Sequence, residues 1–283
     1  MKRLIPALLS GTVSLLSGCA FLDAASEVTI GDGKVPRVKL KTKLPPADEL
    51  VPGALKDGSL PGLPDSYAGA TLAHLDGILR MQGTCSVVQI EPGNSKPVVR
   101  SSVTLARCDG TDPCDGLCPD GFDGLVLELG ATVRMLDAND VKGIRKQLSK
   151  LNEDSIVQIR MRFFDLGLSQ VEGDTVTSVN DSLSTYRLRL ESLTSEPVDL
   201  VTEEYLGAIT PDTPQRFELP PDAALTRELK QNVLAAEPFE LTLVNHFEIP
   251  RSALYGIVIA ETQLALDIQP EFVISVLQAV EGK

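Results

Sequence analysis

The stretch LVLELGATVRML, residues 125–136, sets Leu125, Leu127, Leu129, Val133 and Met135 on one side and Glu128, Thr132 and Arg134 on the other. The same two-residue period returns in SIVQIRMRFF, with Val157, Ile159, Met161 and Phe163 inward and Gln158, Arg160 and Arg162 outward. It recurs in STYRLRLES, PVDLV and PFELTLVNHFEI, and the chain closes on GIVIAETQLALDIQ and EFVISVLQAV. A period of two is the pleat of a β-strand with one face in the core and one in water, the pattern of antiparallel sheets. CSVVQIE and VVRSSVTLARC, separated by Pro92-Gly93-Asn94-Ser95, read as a hairpin.

Helical spacing is confined to three places. Residues 66–81 carry Leu72, Leu75 and Leu79 on one stripe. Asn139 or Asp140 can cap a helix reaching Leu151, and Asp222 starts another that reaches Leu234. Aligned on Asp140 and Asp222, Arg145 meets Arg227, and Val157, Ile159 and Met161 meet Phe239, Leu241 and Leu243. That echo, over residues 125–166 and 214–250, is a strand–helix–strand unit common enough for coincidence to explain it. The expected fold is mainly β, or α+β: antiparallel sheets in two packed layers, sandwich-like, with about three helices. A membrane β-barrel fits poorly, since 4% aromatics and no Trp cannot furnish two interfacial girdles.

Before the first strand the chain opens MKRLIPALLSGTVSLLSGCAFL. Lys2 and Arg3 precede an apolar run from Leu4 to Leu16, shorter than the roughly 20 residues a membrane-spanning helix needs. Leu16-Ser17-Gly18-Cys19 then resembles the lipobox of bacterial lipoproteins. The resemblance covers residues 1–19 alone. It implies cleavage after Gly18, a diacylglycerol on the Cys19 sulfur, and an acyl group such as palmitate on the new amine. Several acyl chains on one residue exceed what stable anchoring requires. Ala20, where aspartate would favour the inner membrane, implies anchoring in the outer membrane, facing the periplasm or the cell surface. Three regions follow: a signal peptide at 1–18, a lipid anchor and Pro-rich tether with a short basic strand at 19–65, and a β-rich globular domain at 66–283.

Cleavage would leave 283 − 18 = 265 residues carrying (26 − 2) − 39 = −15 charges. A chain so acidic repels phosphate backbones, which argues against nucleic acid as a partner. The basic exception is KVPRVKLKTKL, residues 34–44, with Lys34, Arg37, Lys39, Lys41 and Lys43 alternating with Val38, Leu40 and Thr42. Those cations could meet anionic lipid head groups, although lysines that keep an edge strand from pairing are the simpler explanation.

The loop CDGTDPCDGLCPDGFDG holds three of the cysteines. With Cys19 lipidated, Cys85, Cys108, Cys114 and Cys118 remain, an even count that reads as two disulfides in an oxidising compartment. Of three connectivities, Cys85–Cys108 and Cys114–Cys118 is the expectation, one tying the hairpin ends and the other closing a small loop. Calcium is the rival role for Asp109, Asp112, Asp115, Asp120 and Asp123, but no register among them supplies an EF-hand ligand set. The Asp-Gly pairs form turns in their own right. No metal and no cofactor is expected.

Catalytic motifs are missing from the sequence: no G-x-S-x-G elbow, P-loop, dinucleotide fingerprint or H-E-x-x-H occurs. His74 sits in the first helix. His246 falls on the polar side of its strand with Glu240, Thr242 and Glu248, and reads as a solvated histidine rather than a general base. The expected role is a non-catalytic interaction or assembly module, anchored in the outer membrane and partnered by the membrane and another envelope protein. A carrier or chaperone for an apolar ligand such as lipid is the alternative, and a carboxylate-based hydrolase the second.

Overall fold

A computed structural model of the chain describes residues 27–30, 37–50, 69–83, 85–90, 98–110, 116–136, 153–203, 214–235 and 237–275. In chain order the elements are β1 (Glu27–Ile30), β2 (Val38–Lys43), α1 (Ala47–Leu50), α2 (Leu72–Gln82), β3 (Cys85–Ile90), β4 (Val98–Asp109) and β5 (Asp123–Leu136). Then follow β6 (Ile156–Glu172), β7 (Thr175–Ser178), β8 (Thr185–Glu191), β9 (Val198–Glu203), β10 (Gln215–Glu218), α3 (Ala224–Ala235), β11 (Phe239–Pro250) and β12 (Thr262–Ser275).

The strands form two open antiparallel sheets packed face to face, as the alternation predicts. In the first sheet β12 pairs with β6; β1 and β2 share the other edge of β12, and β10 and β7 share the far edge of β6. The second sheet runs β3-β4-β5-β11-β8-β9. Leu125, Leu127, Leu241, Leu243 and Leu188 from the second sheet meet Ile159, Met161, Leu266 and Ile268 from the first in one core. The apolar stripes of α2 (Leu72, Leu75, Leu79) and α3 (Leu225, Leu229, Val233) join it. Each of these side chains is fully withdrawn from water, so each contributes roughly 1.5–3 kcal/mol of gross apolar burial.

Where expectation and structure differ, non-local pairing is the cause. On β6, Ile156 is buried and Val157 only half-buried, because the register with β12 slips between Val273 and Ile274. A bulge of this kind turns one residue to the opposite face. A second slip, between Asp267 and Ile268, gives β6 an extra residue, Phe164, which turns away from the main core. Helix α2 starts at Leu72 rather than residue 66, since Thr71 is extended and bridges to Val258. The expected closing strands are one strand: β12 runs through Pro270, which lies between the ends of β2 and β1, where among the described residues β12 has a partner on one side only. A local edge is where a sheet tolerates a residue with no N–H.

Part of the expected tether is built into the fold. Glu27–Ile30 pairs with β12, and Val38, Leu40, Leu44, Ala47 and Leu50 are core residues. Cys19, Lys34, Cys114 and the expected helix at 139–151 lie outside the described residues, as does the side chain of Met135. The echo around Asp140 therefore cannot be compared element by element.

Candidate functional site

The basic strand β2 forms an edge of the first sheet at the Gln263–Ile268 end of β12, with Val38 and Leu40 inward. Arg37 grips Asp267 with two nitrogens, one at 2.6 Å, and lies 3.6 Å from the centroid of Phe164. Lys39, Lys41 and Lys43 are exposed, Lys39 being 3.9 Å from Asp267. Burial lifts Asp165 above the ordinary carboxylate range, opposed by Lys41.

The cysteine loop is a staple, with a different connection from the expected one. Cys108 bonds Cys118, at a Cα separation of 5.6 Å. In the β3–β4 ladder Cys85 lies opposite Ala106, not Cys108. Residues offset diagonally by two stand about 7–8 Å apart, beyond the reach of a relaxed disulfide. Cys85 is nonetheless disulfide-bonded. The observed bridge draws the loop over the outer face of the second sheet, where Ala106, Cys108, Cys118 and Val126 form a small second core against Leu117 and Phe122. Gly110, Gly116 and Gly121 take positive φ as the Asp-Gly turns require. Gly124 does not: it lies within β5, opposite Pro250, where a Cβ would collide with the carbonyl of Ile249. Among the described residues no cluster of His, Cys, Asp or Glu could hold a metal; Asp112 and Asp115 fall outside them.

Beside that loop lies a polar cluster that the sequence understated. His246 is not solvated: it is 8% exposed, opposite Glu128 on β5 and Arg187 on β8. Cross-strand neighbours cover it, which a strand read alone cannot show. Its Nε2 lies 3.4 Å from Oε1 of Glu248 without hydrogen-bond geometry, and has no hydrogen-bond partner among the described residues. Arg187 donates to the same Oε1 at 2.7 Å. Burial lifts Glu128 above the ordinary carboxylate range, moderated by His246 and Arg189. Burial acts on Glu248 in the same sense, but the contacts with His246, Thr185 and the Arg187 guanidinium outweigh it and hold Glu248 below that range. Two carboxylates pushed apart in this way form the pattern of an acid and its partner base. The cavity that Glu128 borders with His246 and Arg187, walled also by Gly116, Leu117 and Asp199, measures about 60 Å³. It has room for a few waters and none for a sugar ring or a peptide.

A larger cleft of about 490 Å³ opens where α3, the ends of β5 and β11, and the 192–196 turn meet. Pro238, Phe239 and Leu193 supply apolar surface, and Leu193 is 90% exposed. Arg134 donates to Glu240 at 2.7 Å. Glu228 accepts from the hydroxyls of Ser192 at 2.6 Å and Ser195 at 2.5 Å. Burial would raise Glu228, but these hydrogen bonds, with Thr194, hold it below its ordinary range. Nothing in the local sequence marks Glu228 as special, since its partners come from a turn more than thirty residues earlier.

His74 has a structural task. Its Nδ1 accepts from the backbone N–H of Thr71 at 3.0 Å, closing the first turn of α2. No protein-family model matches the chain, and no curated protein matches it.

Proposed function

We propose that this chain is a lipoprotein anchored through Cys19 in the outer membrane, acting without catalysis as an interaction or assembly module. The observation that carries the reading is the open 490 Å³ cleft, whose size falls in the range of recognition sites. Its charged groups are already satisfied, Arg134 by Glu240 and Glu228 by two serine hydroxyls. Ser192 and Ser195 touch Glu228, but a carboxylate held below its ordinary range is a poor base for a hydroxyl proton. A pre-ordered rim beside exposed Leu193 suits the binding of another protein.

The alternatives draw less support. A lipid carrier calls for a hollow between its layers, whereas Phe163, Phe247 and Phe272 fill that space with no more than 1% exposure each. A hydrolase built on Glu128 would have to admit its substrate to about 60 Å³.

A photo-crosslinking residue at Leu193 in living cells is expected to capture one envelope protein repeatedly, while the same probe at exposed Val176 on the first sheet does not. Equal or absent adducts at both positions would count against the cleft as the interaction site. Intact mass of the membrane-extracted protein checks the anchor: acyl chains on Cys19 are expected, and none after Cys19→Ser.

A further inference from the structure

We propose that the basic β2 edge of the first sheet lies against an anionic lipid bilayer. The inference rests on the reading of Cys19 as the lipid anchor. Glu27 is fixed in that sheet opposite Ser275, so only 27 − 19 = 8 residue steps lead to it from the acylated cysteine. Eight extended residues reach at most about 28 Å. The first sheet, which the leash enters, is therefore held near the membrane.

Charge sorting on that face complements an anionic surface. Strand β2 contributes Lys39, Lys41 and Lys43, and Arg37 stands just before it. The same face carries Arg160 and Arg162 on β6 and Arg216 on β10. Among the described residues five acidic positions share it by register: Asp165, Asp267, Glu218, Glu271 and Glu27, which pairs opposite Ser275. Among the described residues seven cations against five anions is an excess of two, on a chain whose net charge is −13. Edge protection explains lysines on β2, but not arginines on β6, which lies two strands in from that edge.

The carboxylates also order the arginines. Glu271 is 2% exposed and meets Arg216 at 2.8 Å and Arg162 at 3.6 Å. Arg37 is held by Asp267 and Phe164. The lysines stand outermost, with Lys39 67% exposed at its side chain. Lys39 pairs opposite Asp267, eight residues along β12 from Ser275, a span of about 27 Å at the strand rise. The leash is as long as this span, so the exposed lysines of β2 can come within a Debye length of the head groups. The acidic remainder of the molecule is repelled by the same surface, which fixes the orientation.

The test uses the acylated full chain in vesicles of phosphatidylcholine alone or with phosphatidylglycerol. Amine labelling of Lys39, Lys41 and Lys43 is compared with that of Lys230 on α3. In phosphatidylglycerol vesicles at low salt the three lysines should label about fivefold more slowly than in phosphatidylcholine, with Lys230 unchanged and the protection lost at high salt. Equal labelling in the two vesicles overturns the proposal. The variant Lys39→Glu/Lys41→Glu/Lys43→Glu, checked for folding by circular dichroism, should show no dependence of Arg37-side proteolysis on lipid charge. If mass spectrometry finds no acyl chain, the anchor reading falls by itself. Flotation of the unacylated chain then decides docking: wild type should bind phosphatidylglycerol vesicles about 100-fold more tightly than the triple variant. Equal binding, or none, overturns it.

Discussion

The phenol of Tyr186 donates a hydrogen bond of 2.8 Å to Oδ1 of Asn245 inside the apolar layer between the two sheets. Asn245 is fully buried on β11, and Tyr186, at 3% exposure, reaches it from β8 while its ring lies 5.0 Å from that of Phe247. Tyr186→Phe keeps the ring and strands the amide oxygen. The expected loss is about 1–3 kcal/mol, the cost of a buried acceptor without its donor. Tyr186→Phe with Asn245→Leu should cost less than the sum of the two single changes, because the second removes the stranded group. Urea denaturation of the four proteins measures this; strict additivity would mean the pair does not interact.

The disulfide between Cys108 and Cys118 closes a ten-residue separation. Cys108→Ala with Cys118→Ala should lower stability by about 2–3 kcal/mol and loosen the cover over Val126. With those two paired and Cys19 acylated, Cys114 is the cysteine left to bond Cys85. Non-reducing peptide mapping should find Cys108–Cys118 and Cys85–Cys114. A Cys85–Cys108 peptide would contradict the pairing.

Glu128 and Glu248 should respond to pH with opposite signs. Glu248 titrates lower in the folded chain than when unfolded, so its contribution is present above the unfolded value of 4.5 and is lost as pH falls through the folded value. Glu128 titrates higher when folded, so stability falls as pH rises from 4.5 through its folded value. Glu128→Gln should therefore stabilise at pH 7, and Glu248→Gln should destabilise there by leaving Arg187 without its carboxylate. Both differences should shrink toward zero below the carboxylate range. Chemical denaturation at pH 7 and pH 3.5 reads the signs, and two shifts of the same sign at pH 7 would refute the assignment.

Gly124→Ala places a methyl group against the carbonyl of Ile249, within the longest ladder of the second sheet. The expected cost is about 1–3 kcal/mol, as for other overpacked sites. Gly121→Ala meets no neighbour among the described residues but is strained by a φ of 73°. The two substitutions should thus differ in kind: hydrogen exchange should quicken along β5 and β11 in the first and stay local to the loop in the second.

The strand faces were legible because alternation is a local property. Ile159, Met161 and Phe163 point into the core as their spacing predicts, and Leu125, Leu127 and Leu129 do likewise. Val157 was not legible, since its orientation depends on a register slip with β12, more than a hundred residues away. The same holds for the candidate sites. An exposed basic strand could be read from KVPRVKLKTKL, but not that Asp267 and Phe164 would seat Arg37. The histidine at position 246 could be placed on a polar face, but not under the cover of Glu128 and Arg187.

What the sequence determined by itself is the period of each strand, the polarity of each face, the resemblance of residues 16–19 to a lipobox, and an oxidisable set of cysteines. Each depends on neighbours within a few residues. Only the tertiary structure decided that Glu27–Ile30 and β2 share one edge of β12, that Cys108 bonds Cys118, and that Glu228 is held by Ser192 and Ser195. These joins link residues distant in the chain or set by how a loop folds back on a sheet. Their selection comes from burial summed over two whole layers, which no short window of sequence contains.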